Sequence, residues 1–287
     1  MSPRGGTISL TLQQRSGPAN TGPDQGPLII LTYAQSGAAH LQRALADQAD
    51  RGGLACTSGT GILAACHAAA AAWRAVDGRD GPPSRLAVAS IRTLADGLIT
   101  AILAGHGGPR WCEISIAPPW HADAFLAAYP VARVVCLHRR CSDVIGAALQ
   151  ASPWGLDGTP FGAFAGAYPG NAIAAAAAYW AAHARALLEF ERAHQAACRR
   201  LKYEELANGA DAIPADLKAF LGLAPGAAQP AAAPGASSAR IGPPPAAGPA
   251  EPAAVSAAPA APFPAERIPA ELSRRISELS DQLGYPP

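Results

Sequence analysis

A strand–loop–helix pattern near the amino terminus limits what this chain can fold into. Four apolar residues, LIIL at positions 28–31, run into a small turn that contains Gly37, and a helical pattern follows from Ala38. The backbone N–H groups of such a turn and of the helix that follows it form a site for an anion. No Lys or Arg lies between Tyr33 and His40, so charged side chains do not accompany this loop.

The composition argues against several classes of protein. Of the 287 residues 49% are hydrophobic, which is enough for one large domain or two modest ones. The formal net charge of +1 gives no reason to expect nucleic acid or an anionic membrane as a partner. We find no apolar run near the about 20 residues of a bilayer span, and no apolar segment of a secretory signal in residues 1–26. We therefore expect a cytoplasmic protein of undetermined oligomeric state.

The cysteines predict free thiols rather than a metal site. None of them forms a CxxC pair, and the six positions are Cys56, Cys66, Cys112, Cys136, Cys141 and Cys198. A zinc site requires clustered ligands, which this spacing does not provide. We expect buried, reduced thiols and no metal.

Strands and helices are predicted to alternate along the chain. Segments rich in Ile, Leu, Val and Cys predict strands at 28–33, 111–116, 133–138 and 198–203. Helical patterns are found at 38–50, 59–76, 85–105, 120–128, 142–150, 171–197 and 211–222. This alternation predicts an α/β three-layer sandwich with a central, mainly parallel sheet. Ligands of such folds bind at the carboxyl ends of the strands, where Tyr33–Ala39 and His138–Ser142 would share one rim.

The composition also divides the chain into segments. We expect residues 1–26 to be a disordered leader and residues 224–264, which are mostly Ala, Pro and Gly, to be a disordered insert. Helical spacing returns at 268–283, with one apolar stripe formed by Leu272, Ile276, Leu279 and Leu283. The predicted domain therefore comprises residues 27–223 together with residues 265–287.

The order of the motifs resembles that of bacterial sulfotransferases that use 3'-phosphoadenosine 5'-phosphosulfate (PAPS). TYAQSGAAHLQRAL is similar to their loop Y-P-[KR]-S-G-T-T-W-L, and RWCEIS to their strand W-x-E-K-[ST]-P. YPVARVVCLHRRCSDVIGAAL resembles the strand and helix that hold the 3'-phosphate. The most distinctive match is AYWAAHARALLEFERAHQAACRRLKYEELA followed by LKAFLGL. The resemblance covers about residues 28–223 and 266–285, and it implies a P-loop-like sulfotransferase fold with PAPS as cosubstrate.

The resemblance also implies roles for the loop. The backbone amides that would contact the 5'-phosphosulfate belong to Ser36, Gly37, Ala38 and Ala39. Gln35 stands where the family has Lys or Arg, and it offers a hydrogen bond but no charge. His40 stands where the family has Trp; it either brings a cation to the anion when protonated or faces the adenine side or solvent.

A second group of matching positions surrounds the 3'-phosphate. Arg139 matches the family Arg, whose fork-shaped guanidinium grips phosphate. Arg140 beside it either adds charge or is a surface residue. Ala147 stands where the family has a Ser that shares the phosphate, so the resemblance implies a lost contact there.

Candidate catalytic groups lie at and after the central strand. Ile114 stands where the family has the Lys of the central strand, so a second cation is missing. Two candidates for the general base remain, Glu113 with a pKa raised by burial and His121 at the start of the next helix. The alternatives are that Glu113 pairs with Arg110 or Arg139 and that His121 lies in solvent.

The acceptor site is expected in an aromatic, loop-like stretch. The candidate side chains of this stretch are Trp154, Phe161, Phe164 and Tyr168, and Trp73 is a further candidate outside it. They form either an acceptor lid or simple hydrophobic cover.

The leading hypothesis is sulfuryl transfer from PAPS to a hydroxyl or amine of a small molecule, for example a secondary metabolite. The alternative is a degenerate relative that serves as a nucleotide-binding or protein-interaction module. A P-loop NTPase is disfavoured because the chain contains no G-x-x-x-x-G-K-[ST].

Overall fold

A computed structural model of the chain describes residues 26–49, 54–78, 83–106, 110–207, 213–223 and 267–285. Apart from Gly26, the predicted leader lies outside the described residues, and so does the whole of the predicted Ala/Pro-rich insert.

The centre of the fold is a five-stranded parallel sheet. Its strands are β1 (Leu28–Leu31), β2 (Leu54–Ser58), β3 (Arg110–Ser115), β4 (Arg133–His138) and β5 (Cys198–Lys202). The strand order is β2-β3-β1-β4-β5, and every neighbouring pair is parallel. The predicted mainly parallel sheet is thus confirmed. Strand β2 was not predicted, because LACTS is a short edge strand with little of the apolar signal of the other four.

Ten helices are found among the described residues and cover both faces of the sheet. They are α1 (Ala38–Ala49), α2 (Ile62–Asp77), α3 (Arg85–His106), α4 (His121–Ala128), α5 (Cys141–Ala151), α6 (Gly162–Ala165), α7 (Ala172–Ala193), α8 (Tyr203–Ala207), α9 (Ala215–Leu221) and α10 (Ala270–Leu283). The two helices that the sequence analysis missed, α6 and α8, are each at most five residues long.

Alternating side chains of the strands build one core on each side of the sheet. Ile29 and Leu31 point to the core that contains residues of α2, α3, α4, α5, α7 and α10. Leu28 and Ile30 point to the opposite core, which contains residues of α1, α8 and α9. Because successive side chains of a strand point to opposite faces, a fully apolar β1 requires helices on both sides. The result is the predicted three-layer sandwich.

Helix α10 returns to the sheet domain. Its stripe is buried at Leu272, Leu279 and Leu283 and packs against the core that contains α7. The amino end of α7 is fixed by Asn171, whose Oδ1 accepts from the Ala174 amide at 3.0 Å. The backbone beyond α10 then carries Tyr285 to the carboxyl edge of the sheet, where it is buried.

The sequence analysis found no apolar run long enough to span a membrane. Among the described residues, α3 is nevertheless long and apolar enough to cross a membrane, judged by length and composition alone. One side of α3, formed by Ala87, Ile91, Ala95 and Ile99, is buried in the protein core. Only 22% of its apolar stretch is buried, and Leu86, Leu94 and Leu98 on its other side are exposed.

Candidate functional site

The loop between β1 and α1, residues 32–37, is held between the two neighbouring strands. The Thr32 amide donates to the Ser115 carbonyl of β3 at 3.0 Å, and the Thr32 hydroxyl donates to the Leu137 carbonyl of β4 at 3.1 Å. The hydroxyl of Ser36, which is fully buried, lies 2.6 Å from the Thr32 hydroxyl. These bonds fix the loop at the carboxyl edge of the sheet, where the sequence analysis placed it.

Two residues with positive φ lie in the loop just before the start of α1. Gln35 and Gly37 both have positive φ, 63° and 89°. For Gln35 this is backbone strain, because a residue with a Cβ disfavours the left-handed region. Ala38, which is buried, and Ala39, which is exposed, open the helix. Since the first amides of a helix have no carbonyl partner within it, this terminus suits an anion.

An aromatic ring covers Gly37. A Cβ at this position would lie 3.0 Å from Tyr203 Cγ and even closer to Cδ2 and Cε2 of the same ring. His40 is half-buried and meets the Tyr203 ring edge-on, with 5.8 Å between centroids and an interplanar angle of 80°. The close approach that glycine permits here is therefore made by Tyr203.

Arg139 holds the loop from the β4 side. Its Nη1 donates to the Gln35 carbonyl at 2.9 Å, and its guanidinium carbon lies 4.5 Å from the centre of the Tyr203 ring. The Arg139 amide donates to the Tyr33 hydroxyl at 2.8 Å, and Trp180 Nε1 donates to the Arg139 carbonyl at 2.8 Å. The side chain is only 3% exposed. Arg139 thus contacts the backbone of the loop that the sequence analysis assigned to the cofactor.

Arg140 is anchored by its backbone and leaves part of its side chain unsatisfied. Its amide donates to Glu204 Oε1 at 2.8 Å, and the Tyr285 hydroxyl donates to Glu204 Oε2 at 3.1 Å. The Arg140 guanidinium lies 6.0 Å from the Tyr285 ring. Its Nε is buried without a hydrogen-bond partner among the described residues. An anion would satisfy such an N–H, so the Arg140 side chain is suited to an anionic ligand.

Glu113 braces the loop between β2 and α2. The side chain is only 2% exposed, its Oε2 accepts from the Thr57 hydroxyl at 2.8 Å, and its Oε1 accepts from the Thr60 amide at 2.9 Å. Burial raises the pKa of Glu113, and the hydrogen bonds from Thr57 and Thr60 oppose that rise. The arginine partners weighed in the sequence analysis are replaced by these two threonines.

His121, the first residue of α4, forms a stacked pair with His67 of α2. The ring centroids are 4.6 Å apart and the rings are inclined by 24°. The Trp120 indole, which is half-exposed, meets His121 edge-on at 6.1 Å. Burial, and then the charge of His67, lowers the pKa of His121. An imidazole that stays neutral in this way can accept a proton at neutral pH.

The predicted acceptor residues have contrasting environments. Trp154 is 99% exposed, whereas Phe161 is 2% exposed and packs on Tyr179 with 4.4 Å between ring centroids. Tyr168 is half-buried. The Tyr179 hydroxyl accepts from the Ala34 amide at 2.9 Å, so the aromatic segment reaches the β1–α1 loop through this residue.

Several residues of the candidate site escaped the sequence analysis. Thr57 lies in the edge strand β2, which was not predicted, and Thr60 and His67 follow it; the turn Ser-Gly-Thr-Gly at 58–61 is the signal that could have found them. Ile114, which the resemblance aligns with a Lys of the family, is buried in the core with α1. Among the described residues, no group of three or more His, Cys, Asp or Glu is arranged to hold a metal.

Comparisons with known proteins identify a family for this chain. The model of the sulfotransferase family matches residues 27–225. No curated protein matches the chain. Among solved structures, the sulfotransferase domain of the Synechococcus PCC 7002 olefin synthase is 15% identical, with a TM-score of 0.39, over 71% of this chain and 76% of that one.

Two mycobacterial structures are similar as well. Sulfotransferase STF9 from Mycobacterium avium is 14% identical with a TM-score of 0.38, over 70% of this chain and 68% of that one. Sulfotransferase STF1 from Mycobacterium tuberculosis H37Rv is 18% identical with a TM-score of 0.41, over the same shares. Since the family model spans most of the described sheet domain, the chain belongs to the sulfotransferase family.

Proposed function

We propose that this chain transfers a sulfuryl group from PAPS to a hydroxyl or amine of a small-molecule acceptor in the cytoplasm. One observation carries the proposal. The first amides of α1 and the Arg140 Nε without a hydrogen-bond partner lie at the same edge of the sheet, in a chain of the sulfotransferase family. When bound, PAPS supplies the reactive sulfur and anionic phosphate groups. The chain must therefore hold anions and activate the acceptor.

Anion binding falls to the backbone and to Arg140. The amides of Ala38 and Ala39 are presented by the strained loop that ends at Gly37. Arg139 stabilises this loop through the Gln35 carbonyl. Catalysis of such a transfer rests mostly on positioning and charge stabilisation, which a rigid loop supports.

His121 is the candidate for the general base that remains when Glu113 and His40 are set aside. Both carboxylate oxygens of Glu113 are engaged, and the group is almost fully buried. His40 is turned against the Tyr203 ring. His121 has a lowered pKa and lies beside the half-exposed Trp120 at the end of β3. We assign it the removal of the acceptor proton.

A second candidate function is nucleotide binding without transfer. It is favoured by the neutral residues at Gln35 and Ile114, because Ile114 is buried and leaves β3 without a cation at the rim. Losing one donor that stabilises the transition state lowers rates by about 10²–10³ in other enzymes. Binding is therefore expected under both proposals, and turnover separates them.

Binding of adenosine 3',5'-bisphosphate and turnover of radiolabelled PAPS test the two candidates together. At a ligand concentration 100 times Kd, a specific site should stabilise the fold by about 2.7 kcal/mol. Arg140→Ala should weaken this effect, while Arg275→Ala, on the exposed side of α10, serves as the matched control. Stabilisation with turnover supports transfer, and stabilisation without turnover supports the second candidate. No stabilisation at millimolar ligand contradicts both.

The assignment of His121 has its own test. His121→Ala should lower kcat about 10²–10⁴-fold while nucleotide binding persists, because a base acts on the acceptor proton and not on the anion. His106→Ala, at the exposed end of α3, is the control. Unchanged kcat in His121→Ala would remove this residue from the mechanism.

A further inference from the structure

Two cysteines face each other across the edge of the sheet. Cys56 of β2 and Cys112 of β3 are direct register partners in neighbouring parallel strands. Both side chains belong to the core on the α1 side, with Cys112 fully buried and Cys56 half-buried. As register partners, the two thiols lie side by side across the strand pair. Neither residue has a role in the proposed transfer.

The geometry of paired strands permits a bond between them. Neighbouring strands lie about 4.7–4.9 Å apart, and disulfides span Cα separations of about 4.4–6.8 Å. Register partners also direct their side chains to the same face of the sheet. The neighbouring Cys112 thiol lowers the pKa of Cys56 against the opposing effect of burial, which favours the nucleophilic thiolate at the more accessible sulfur.

We propose that Cys56 and Cys112 form a redox-active pair that closes to an intramolecular disulfide when hydrogen peroxide reaches Cys56. The Cys56 thiolate attacks one peroxide oxygen, the O–O bond breaks, and hydroxide leaves. The Cys112 sulfur then attacks the resulting sulfenic acid, forming the S–S bond and releasing water. In total two thiols lose two electrons and two protons, and one peroxide is reduced to two waters.

The proposed disulfide between Cys56 and Cys112 would lie next to residues of the candidate site. The next register pair is Thr57 and Glu113, whose hydrogen bond holds the β2–α2 loop. A disulfide at the preceding pair ties the edge strand covalently to β3. The proposal does not depend on the proposed function, since it concerns only the thiols.

A second pair of cysteines in neighbouring strands can be compared with the first. Cys136 of β4 and Cys198 of β5 also lie in neighbouring strands, but both are buried and they are offset in register, since Cys136 pairs with Arg200. A peroxide should therefore oxidise the first pair and leave the second as thiols.

The test treats the folded full-length chain with hydrogen peroxide and maps thiols by alkylation and peptide mass spectrometry. We expect a peptide cross-link between Cys56 and Cys112 that dithiothreitol removes. In Cys112→Ser the sulfenic acid cannot be resolved, so dimedone labelling of Cys56 should rise at least about tenfold. Cys198→Ser, the matched control, should leave the cross-link unchanged.

The outcomes are clear in either direction. The cross-link in the unsubstituted chain supports the proposal even where Cys112→Ser folds poorly. The proposal is overturned if no cross-link forms and dimedone labels the unsubstituted chain and Cys112→Ser equally. A Cys136–Cys198 cross-link that forms at the same rate also overturns it, because oxidation would then not depend on the exposure and register of the first pair.

Discussion

Gly37→Ala is the sharpest test of how the β1–α1 loop is packed. A Cβ at Gly37 would overlap the Tyr203 ring, and φ at this position is 89°. The left-handed backbone costs alanine about 1–2 kcal/mol, and forcing extra volume into a packed site costs about 1–3 kcal/mol. We therefore expect a loss of about 2–5 kcal/mol in the free energy of unfolding, measured by urea denaturation.

Two comparisons separate these contributions. Gly59→Ala serves as the control because Gly59 has a φ of 65° and open space where its Cβ would lie. It should cost only the backbone contribution of about 1–2 kcal/mol. In a Tyr203→Ala background the Gly37→Ala substitution should fall to the same value, since the overlapping ring is gone.

The reasoning is refuted if the free-energy costs of Gly37→Ala and Tyr203→Ala simply add. If Gly37→Ala costs as much without the Tyr203 ring as with it, the two residues are not in contact and the description of the loop is wrong. An equal loss for Gly37→Ala and Gly59→Ala would lead to the same conclusion.

Three further predictions follow from burial and charge. Phe161→Ala should cost about 3–5 kcal/mol in urea, whereas Trp154→Ala should stay within about 0.5 kcal/mol, because only the first ring is buried. Gln35→Gly should raise stability by about 1 kcal/mol in the same assay, since glycine adopts the positive φ without strain; a loss would contradict the strained backbone. Burial lowers the pKa of His138, so the unfolded chain binds a proton first as the pH falls below about 6.5. Unfolding free energies measured from pH 7 to 5 should therefore decrease, and His138→Gln should reduce that slope.

Much of the fold could be predicted because its signals are local. The strand of four apolar residues at 28–31, the small turn and the helix from Ala38 follow from the periodicity of side chains along a few turns of chain. The same reasoning placed β4 at its observed bounds. It failed for β2, since an edge strand with a polar end carries little apolar periodicity.

The chemistry of the site depended on contacts between distant parts of the chain. The sequence indicated Gly37, Arg139 and His121, but the Tyr203 ring against Gly37 and the His67 ring against His121 arise only when helices and strands pack. The Tyr33 hydroxyl meets Arg139 across 106 positions of sequence. Local periodicity determines which elements form, whereas the order of strands in the sheet determines which side chains meet at its edge.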